Sequence, residues 1–443
     1  MTLRRKIAQK LKEWKATPNH NPLVIKGCRQ CGKTYSVIEF AKDNYAHYVY
    51  VNFFSNTDFS MAFNDMDVDK MVMYLSAILK DKADFVPYQT CIILDEIQEC
   101  PKARTALKFF KLDGRYDVIC TGSLLGISGY RSEPVSIPVG YETNLTMYPL
   151  DFEEFLWANG VDNPIIDVVK RSIDNVTPVP EVIHNRLYDL MLQYIVVGGM
   201  PAAVVEFVTS HNMNRVSDIQ RDIVSGYRDD MIKYAPKEFK SRICECFDSI
   251  PAQLAKENKK FQYSLVARRG TAEKFDGCIQ WIEDAGVICR CKNLTITELP
   301  LAGNVLQGVF KVYMADIGLL TSMLEDETAV DILAGSLYGY KGAIFENLIA
   351  DFFHKAGRKL YYFRKDSGLE IDFVTRIGSE CVAIECKASS GNAKSLKTLL
   401  KHPEKYHVNR GIKFGNYNVG LADATLTLPL YACPFLLRQP PEV

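Results

Sequence analysis

The sequence predicts an α/β protein whose first part is a parallel sheet covered by helices on both faces. Over the first 150 residues, short apolar runs rich in β-forming residues alternate with helical stretches, which is the pattern of a parallel sheet. The 443 residues are too many for one core, because domains usually hold roughly 100–200 residues. From about residue 340, a helix precedes a second group of strands. A separate α/β domain is therefore expected at the C-terminus.

The chain is divided into four predicted segments. They are an α/β core (1–160), a helical lid or linker (161–236), a small helical domain with a β-hairpin wing (237–335) and a second α/β domain (336–443). The strands of the core sheet are expected at Leu23–Lys26, Tyr48–Phe53, Cys91–Glu96, Val118–Gly122 and Thr146–Leu150. The later strands are expected at Val287–Leu294, Phe310–Tyr313, Leu360–Arg364, Ile371–Thr375 and Cys381–Cys386, with a basic helix near Ser395–Lys405. Short runs rich in β-branched and aromatic residues are typical of strands.

Composition and charge exclude several classes of protein. Hydrophobic residues make up 47% of the chain and charged residues 24%, so a folded chain is expected rather than a disordered one. The formal net charge is zero, so any nucleic-acid surface must be local. Apolar runs such as Cys91–Leu94 are far shorter than the ~20 residues of a membrane-spanning helix, and Met1–Lys15 lacks the apolar centre of a signal peptide. These features predict a cytoplasmic protein with no membrane partner.

The strongest local signal is Gly27-Cys-Arg-Gln-Cys-Gly-Lys-Thr34, which lies between a strand and a helix. It is a G-x-x-x-x-G-K-[ST] phosphate loop in its strand–loop–helix context. Its glycines permit the tight backbone curl that turns N–H groups toward an anion. Lys33 is expected on the β/γ-phosphates and the Thr34 hydroxyl on Mg²⁺, so the predicted cofactors are ATP and Mg²⁺. The residues expected to bind the nucleotide are Gly27, Cys28, Arg29, Gln30, Cys31, Gly32, Lys33, Thr34, Tyr35, Asp95 and Ser123.

Two adjacent carboxylates, Asp95 and Glu96, end a later apolar strand of the core. Open α/β sheets bind ligands at the carboxyl ends of their strands. Asp95 is therefore expected to hold Mg²⁺, and Glu96 to polarise the attacking water. The next strand ends in Thr121-Gly-Ser123, where a hydroxyl is expected to reach the γ-phosphate, and Arg131 follows in a loop. The predicted catalytic residues of the core are Lys33 and Glu96, and its predicted metal ligands are Thr34 and Asp95.

A second charged cluster is predicted in the last domain. Residues two apart on a strand share a face, so Glu385 and Lys387 are expected side by side, with Asp372 on the preceding strand. Such a set suits metal-assisted phosphodiester hydrolysis. Asp372 and Glu385 would hold Mg²⁺ or Mn²⁺, Lys387 would orient the water, and Glu346 on the preceding helix would complete the metal shell. The alternative is a β-hairpin with polar residues on its wet face.

Two groups of basic residues stand out in this neutral chain. Such groups favour phosphate-contacting surfaces, and the alternative is ordinary solvated surface charge. The downstream group faces one acid, Glu404, and the wing group faces Glu257 and Glu273. The downstream group is Lys387, Lys394, Lys397, Lys401, Lys405, Arg410 and Lys413, and the wing group is Lys256, Lys259, Lys260, Arg268, Arg269 and Lys274.

The thirteen cysteines are scattered and odd in number, which is typical of a reducing compartment. Cys28 and Cys31 form a C-x-x-C pair, a spacing that can indicate zinc or redox chemistry. Both lie inside the phosphate loop, however, and no second Cys/His pair is close in the sequence. The simpler interpretation is that the cysteines are small apolar residues of the fold.

With these motifs in order, the chain resembles a prokaryotic family of AAA-type ATPases that carry a C-terminal domain of unknown function 4143. The resemblance runs from about Ile25 to Ser390. It rests on the phosphate loop, the Asp95/Glu96 pair, Thr121–Gly126, Tyr148–Phe155, Gly198–Pro201, Lys311–Leu320 and the Glu346/Asp372/Glu385/Lys387 set.

The resemblance implies an AAA-type ATPase core with a helical lid, a winged helix near Lys237–Met323 and a C-terminal part similar to the PD-(D/E)xK nuclease fold. Asp372, Glu385 and Lys387 match the signature positions of that fold. The loop Pro138–Glu142 departs from the family, because many relatives carry a basic residue after its glycine. No arginine finger is therefore assigned there.

The favoured interpretation is a DNA-associated, ATP-hydrolysing protein with a nuclease-like C-terminal domain. A protein partner or a homo-oligomer is compatible with it. The alternative is an ATP-dependent regulatory switch or scaffold that binds a protein partner and cuts nothing.

Overall fold

A computed structural model describes residues 1–80, 83–124, 139–257, 259–336, 340–387 and 393–437. The chain forms two compact units. The N-terminal unit comprises Thr2–Pro149 with Asp284–Gly286, and the C-terminal unit comprises Met1, Leu150–Glu283 and Val287–Val443. The four predicted segment boundaries are a finer division, and they stay predictions.

A five-stranded, all-parallel sheet forms the centre of the N-terminal unit, with strand order β2-β3-β4-β1-β5. Its strands are β1 (Leu23–Gly27), β2 (His47–Asn52), β3 (Thr90–Asp95), β4 (Asp117–Ser123) and β5 (Thr143–Thr146). Its helices are α1 (Ile7–Ala16), α2 (Lys33–Asn44), α3 (Val68–Leu79) and α4 (Pro101–Asp113). The predicted parallel sheet is confirmed. The fifth strand lies earlier than predicted, because the chain pairs with β1 only from Thr143 to Thr146.

The continuous apolar runs of this sheet follow from burial on both faces. In β1, Val24 packs into one core together with residues of α3 and α4. Its neighbours Leu23 and Ile25 pack into a second core together with residues of α1 and α2. Because side chains alternate along a strand, each strand has to be apolar at every position, which is the signal that the sequence carries.

Helices make up the first part of the C-terminal unit. They are α5 (Phe152–Ala158), α6 (Asn163–Asn175), α7 (Glu181–Val197), α8 (Pro201–Ser210), α9 (Met213–Tyr234), α10 (Lys240–Asp248), α11 (Ile250–Leu254), α12 (Tyr263–Val266) and α13 (Ala272–Asp284). Those that follow are α14 (Ile317–Ser322), α15 (Thr328–Leu333), α16 (Lys341–Lys355), α17 (Lys394–Leu400), α18 (Pro403–Tyr406) and α19 (Cys433–Leu436). The expected basic helix is divided into α17 and α18, since Pro403 begins a new helix.

A mixed eight-stranded sheet completes the C-terminal unit, with strand order β12-β13-β11-β10-β9-β8-β6-β7. The strands are β6 (Ile288–Leu294), β7 (Val305–Met314), β8 (Leu360–Arg364), β9 (Glu370–Ile377), β10 (Glu380–Cys386), β11 (Arg410–Gly415), β12 (Gly420–Ala422) and β13 (Thr425–Pro429). The hairpin predicted as a wing, β6–β7, joins this sheet through parallel pairing of β6 with β8. The sheet therefore continues across the predicted boundary at residue 335. A parallel α/β core followed by a mixed sheet agrees with the predicted fold class, and the winged-helix and nuclease-like details stay predictions.

Candidate functional site

The phosphate loop connects the end of β1 to the start of α2. The Lys33 ammonium donates to the backbone oxygens of Gly27 (3.1 Å) and Cys28 (2.8 Å), so it lies against the curled loop. A Cβ atom on Gly27 would lie 2.3 Å from the Met147 carbonyl oxygen, so the close approach of the two backbones requires glycine. Ser123 pairs with Gly27 across β4 and β1. The structure thus brings the predicted nucleotide residues Gly27, Lys33 and Ser123 to one edge of the sheet.

Asp95 is the centre of a hydrogen-bond cluster at that edge. Its carboxylate is 4% exposed and accepts from the Thr34 hydroxyl (3.1 Å to each oxygen) and the Tyr50 hydroxyl (2.6 Å). The Asn52 amide donates at 3.1 Å, and the Thr121 hydroxyl also donates. Burial, with the bond to Asp95, raises the pKa of Tyr50 to about 12, so Tyr50 stays a neutral donor. Every side chain that holds Asp95 here is neutral, which leaves the carboxylate charge uncompensated.

Tyr50 and Asn52 are the residues that sequence reasoning missed in this cluster. They lie at the carboxyl end of β2, where Asn52 pairs with Asp95 across the two strands. The usable signal is the change from apolar to polar residues at the end of a core strand, next to the strand that carries Asp95. Thr121, which the sequence offers as a contact of the γ-phosphate, donates its hydroxyl to Asp95 in the structure.

Glu96 has a left-handed backbone, with φ of 55°, so the chain turns sharply between the two carboxylates. Its backbone N–H donates to Asp95 Oδ1 at 3.1 Å, and the Gln98 amide donates to Glu96 Oε2. Gln98, another residue that the sequence did not single out, therefore orients the Glu96 side chain.

The remaining predicted loop residues have different surroundings. Gln30 has φ of 61°, Cys28 and Cys31 are buried, and the exposed Tyr35 ring bonds through its hydroxyl to Thr2 at 3.1 Å. Arg131 falls outside the described ranges. Glu142, in the loop without the family's basic residue, forms an ion pair with Arg104 at 2.7 Å.

The C-terminal cluster holds its carboxylates in a different way. Glu346, buried on α16, pairs with the Lys259 ammonium, accepts from the Tyr313 hydroxyl at 3.0 Å and lies 3.6 Å from Lys311 Nζ. Lys311 also pairs with Glu370 at 2.7 Å. Lysines therefore neutralise much of the charge of Glu346 and Glu370, and no local sequence pattern indicates these pairs.

Asp372 and Glu385 are held mainly by backbone amides. Asp372 Oδ2 accepts from the Cys386 N–H and Glu385 Oε1 from the Leu396 N–H, both at 2.8 Å. Glu385 Oε2 lies 2.9 Å from Lys387 Nζ, so these two side chains meet as the strand period predicts. Burial, with the negative charge of Glu346, raises the pKa of Asp372 to about 7.

The predicted metal shell of Glu346, Asp372 and Glu385 is not assembled in this arrangement. Among the residues that the structure describes, no three acidic, histidine or cysteine side chains form a group that could hold a metal ion. The physical reason is that Glu346 faces lysines while Glu385 caps the backbone near α17. The metal and catalytic roles of Asp372, Glu385 and Lys387 stay predictions.

Several motifs that carry the family resemblance meet in one buried network of the C-terminal unit. Lys355 Nζ lies 2.9 Å from Asp316, 2.7 Å from Asp351 and 2.8 Å from the Tyr194 hydroxyl. Tyr194 donates to the Leu150 carbonyl at 3.0 Å, and the Gly199 N–H donates to Asp316 at 2.8 Å.

This network gives Tyr148–Phe155, Gly198–Pro201 and Lys311–Leu320 a structural role. A Cβ atom on Gly199 would lie 2.0 Å from the Leu150 carbonyl oxygen, so the second glycine of its motif is sterically required. The three motifs position one another around the buried Lys355 ammonium.

The two basic groups differ in their surroundings. Lys259 of the wing group is only 15% exposed and is paired with Glu346, and the adjacent α13 carries Glu273, Asp276 and Glu283. Along α17, α18 and the residues between them, by contrast, the lysines are exposed to solvent. These are Lys394, Lys397, Lys401 and Lys405.

Three family models match successive parts of the chain. Residues 19–156 match the family model of an AAA domain, residues 188–329 match a domain of unknown function (DUF8612), and residues 341–433 match a domain of unknown function (DUF4143). A comparison with curated proteins gives no match.

Solved structures that resemble this chain include three ATP-related proteins. A Walker-type ATPase of Pyrococcus abyssi has a TM-score of 0.43 and 12% identity, with 73% of this chain and 96% of that chain covered. The ORC2 protein of Aeropyrum pernix has a TM-score of 0.34 and 11% identity, with 76% and 94% covered. DnaA from Aquifex aeolicus has a TM-score of 0.25 and 14% identity, with 62% and 86% covered. At these TM-scores the likeness does not establish a shared function.

The parallel sheet, the phosphate loop and the matched AAA domain together define a P-loop ATPase. More narrowly, the chain is an AAA-type ATPase with a C-terminal DUF4143 domain, as its sequence motifs predict. Over the part of the chain that the structure describes, none of the helices combines the length and the apolar composition that a bilayer-spanning segment needs.

Proposed function

We propose that the N-terminal unit binds Mg²⁺·ATP and hydrolyses it with Glu96 as the residue that orients and polarises the attacking water. The observation that carries the proposal is the Asp95 carboxylate, buried and held only by neutral donors among the residues described. Such a carboxylate suits a divalent cation, because its charge is otherwise uncompensated.

Each residue of the site has a defined part in this proposal. The Thr34 hydroxyl and Asp95 would hold Mg²⁺, which supplies Lewis-acid polarisation of the phosphate oxygens when bound. Lys33 exchanges its bonds to the Gly27 and Cys28 carbonyls for bonds to the β/γ-phosphates. The hydrogen bond from the Gln98 amide orients the Glu96 carboxylate, and the hydrogen bond from the Thr121 hydroxyl orients the Asp95 carboxylate.

Two substitutions test the proposal, with nucleotide binding and turnover measured separately. Lys33→Ala is expected to lose ATP binding, because the phosphate charge loses its cation. Glu96→Gln is expected to bind ATP at the parental affinity and to lose roughly 10²-fold or more in turnover, the usual scale of general-base catalysis. Glu39→Gln on α2, which breaks only an exposed pair with Lys42, is the matched control. Parental turnover by Glu96→Gln would refute the role of Glu96.

We further propose that the protein associates with nucleic acid through the lysines of α17 and α18 rather than through the wing group. The support is the exposure of Lys394, Lys397, Lys401 and Lys405 beside one acid, Glu404. In the wing group, Lys259 is paired with Glu346, and the helix beside it is acidic. Cations that are already neutralised contribute little to phosphate binding.

Salt dependence of DNA affinity separates the two surfaces. Reversing the four α17/α18 lysines to glutamate is expected to weaken binding and to lower the log–log salt slope by roughly 0.9 for each lost phosphate contact. The matched control reverses Lys256, Lys260, Arg268 and Arg269 and is expected to change the slope less. If neither set changes the slope, the alternative of a switch or scaffold with a protein partner is favoured instead.

The contacts of the C-terminal acids do not favour metal-dependent cleavage. Glu346 and Glu370 are paired with lysines and Glu385 with a backbone amide, so these residues as they stand do not fit a divalent ion. No cleavage step follows from this arrangement, and metal-dependent nuclease activity stays a prediction.

The thirteen cysteines are all free thiols, which supports the proposed cytoplasmic location.

A further inference from the structure

Two thiols lie inside the phosphate loop itself. Cys28 and Cys31 flank a turn formed by Arg29 and Gln30, and Gln30 has a positive φ of 61°, as the third residue of a type II turn does. Their exposed fractions are 4% and 0%. The Cys28 thiol donates to the Cys31 sulfur, and the Cys31 thiol donates to the Met147 carbonyl oxygen at 3.6 Å.

The spacing of this pair is compatible with a disulfide. The ends of a four-residue β-turn have Cα atoms less than about 7 Å apart, and a disulfide needs Cα atoms roughly 4.4–6.8 Å apart. The hydrogen bond already directs the Cys28 thiol toward the Cys31 sulfur. Closing the bond therefore requires the sulfurs to approach, with no rearrangement of the sheet.

The surroundings of Cys31 favour its thiolate. The hydrogen bond from Cys28, with the positive charges of Lys33 and Arg5, lowers the pKa of Cys31 to about 6 despite burial. Arg5 also bonds to the Cys31 carbonyl at 3.1 Å. The contrast within the same unit is Cys91, whose pKa is raised by burial. Oxidation by peroxides follows thiolate character.

We propose that Cys28 and Cys31 are a modification site, a dithiol that a hydroperoxide oxidises to a disulfide and that thereby closes the phosphate loop to nucleotide. The proposal rests on ATP binding by this loop. It goes beyond that function, because it assigns to two loop residues a chemistry of their own.

The oxidation balances with hydrogen peroxide as the oxidant. The Cys31 thiolate attacks one peroxide oxygen, the O–O bond breaks, and the leaving hydroxide takes up a proton to become water. Cys31 is then a sulfenic acid. The Cys28 sulfur attacks the Cys31 sulfur, the S–S bond forms, and the S–O bond breaks with loss of a second water that carries the Cys28 proton. Two thiols and one peroxide thus give one disulfide and two waters.

The disulfide changes the part of the loop that must curl around phosphate. It replaces a thiol–thiol contact with a bond of about 2.05 Å, which draws Cys28 and Cys31 together. The Cys28 carbonyl, which accepts from Lys33 at 2.8 Å, moves with this change. The backbone at Gly27 cannot absorb this movement, because it is already packed closely: a Cβ atom there would lie 3.0 Å from Cys31 Sγ.

ATP binding and disulfide formation are thermodynamically linked. If the disulfide weakens ATP binding by a given factor, ATP must shift the dithiol–disulfide equilibrium toward the dithiol by the same factor. We expect a factor of roughly ten or more, within the usual range of coupling between two sites. The two factors are measured independently, one by ATP titration and one by redox titration in glutathione buffers.

The test uses the full-length protein treated with hydrogen peroxide and then freed of it. Peptide mapping without reductant is expected to show a Cys28–Cys31 disulfide, and ATP affinity is expected to fall roughly tenfold and to return with dithiothreitol. Cys28→Ser and Cys31→Ser are each expected to bring the ratio of oxidised to reduced affinity to one, whatever their own affinity. Cys246→Ser, which disrupts a second hydrogen-bonded thiol pair, Cys246–Cys278, is the matched control and is expected to keep the tenfold loss.

Three outcomes would overturn the proposal. They are the lack of a Cys28–Cys31 disulfide after peroxide, a disulfide that leaves ATP affinity unchanged, and a loss of affinity that persists in Cys28→Ser. A failure of the ATP-binding proposal is distinguishable, because it would show as no ATP binding by the reduced protein, while the disulfide is detected without nucleotide.

Discussion

Both units carry buried carboxylates at strand or helix positions, but they compensate the charge in opposite ways. Asp95 in the N-terminal sheet is surrounded by hydroxyls and an amide, from Thr34, Tyr50, Thr121 and Asn52. Glu346 in the C-terminal unit is paired with the ammonium groups of Lys259 and Lys311.

The two surroundings suit different roles. A carboxylate held as Asp95 is could bind a metal ion directly, whereas Glu346 would first have to give up its lysine partners. Neutral donors orient a carboxylate without neutralising its charge. A lysine neutralises the charge and offsets the cost of removing the carboxylate from water. The number of acids in a cluster is therefore a poor guide to metal binding. The charge of the groups that hold them is a better one.

The largest expected effect comes from removing a lysine that holds buried acids. Lys355→Met leaves Asp316 and Asp351 buried without their cation and is expected to lower the opening free energy of α16 by about 3–5 kcal/mol. Hydrogen exchange of α16 peptides measures it. The control, Lys359→Met, removes an exposed lysine nearby and should leave exchange unchanged. If exchange is unchanged in Lys355→Met, Asp316 and Asp351 do not depend on a lysine for stability. The contrast with Asp95 would then be wrong.

A metal titration compares the two clusters directly. With ATP present, calorimetry of the full chain with Mn²⁺ is expected to show one bound ion, weakened about a hundredfold in Asp95→Asn because a charged ligand becomes neutral. Asp372→Asn is expected to leave both the number of bound ions and their affinity unchanged. A second bound ion that is lost in Asp372→Asn or Glu385→Gln would instead establish the metal site predicted from the sequence.

The smallest expected effect is a pH dependence of the C-terminal cluster. Burial and Glu346 raise the pKa of Asp372 to about 7, above the roughly 3.9 of an unfolded aspartate. The folded state therefore binds this proton more tightly, so its stabilising contribution is full below pH ~4 and is lost as pH rises through 7.

The measurement is the opening free energy of β9 by hydrogen exchange at pH 5 and pH 8. Relative to Asp372→Asn, the wild type is expected to lose about 2–3 kcal/mol over this interval. Lys259, Lys311 and Glu346 face the same carboxyl group and are present in both proteins. A gain of stability with rising pH would mean an ionised Asp372 at neutral pH, and it would make this cluster resemble Asp95.

The sequence by itself determined the phosphate loop, the Asp95/Glu96 pair and the strands that deliver them. Each of these is a local pattern: a glycine-bounded loop after an apolar strand, or two acids at a strand end. Continuous apolar runs were enough to predict a sheet that is buried on both faces, because every position of such strands faces a core.

Only the tertiary structure decided what surrounds each carboxylate. Tyr50 and Asn52 reach Asp95 from a neighbouring strand, Lys259 reaches Glu346 from 87 residues away, and Lys355 joins Asp316 and Asp351. The sequence shows that these residues are charged or polar, but their pairing follows from packing between distant segments. Because the energy of a buried charge depends on the groups within a few ångströms of it, the same aspartate or glutamate becomes a metal ligand or half of an ion pair according to those contacts.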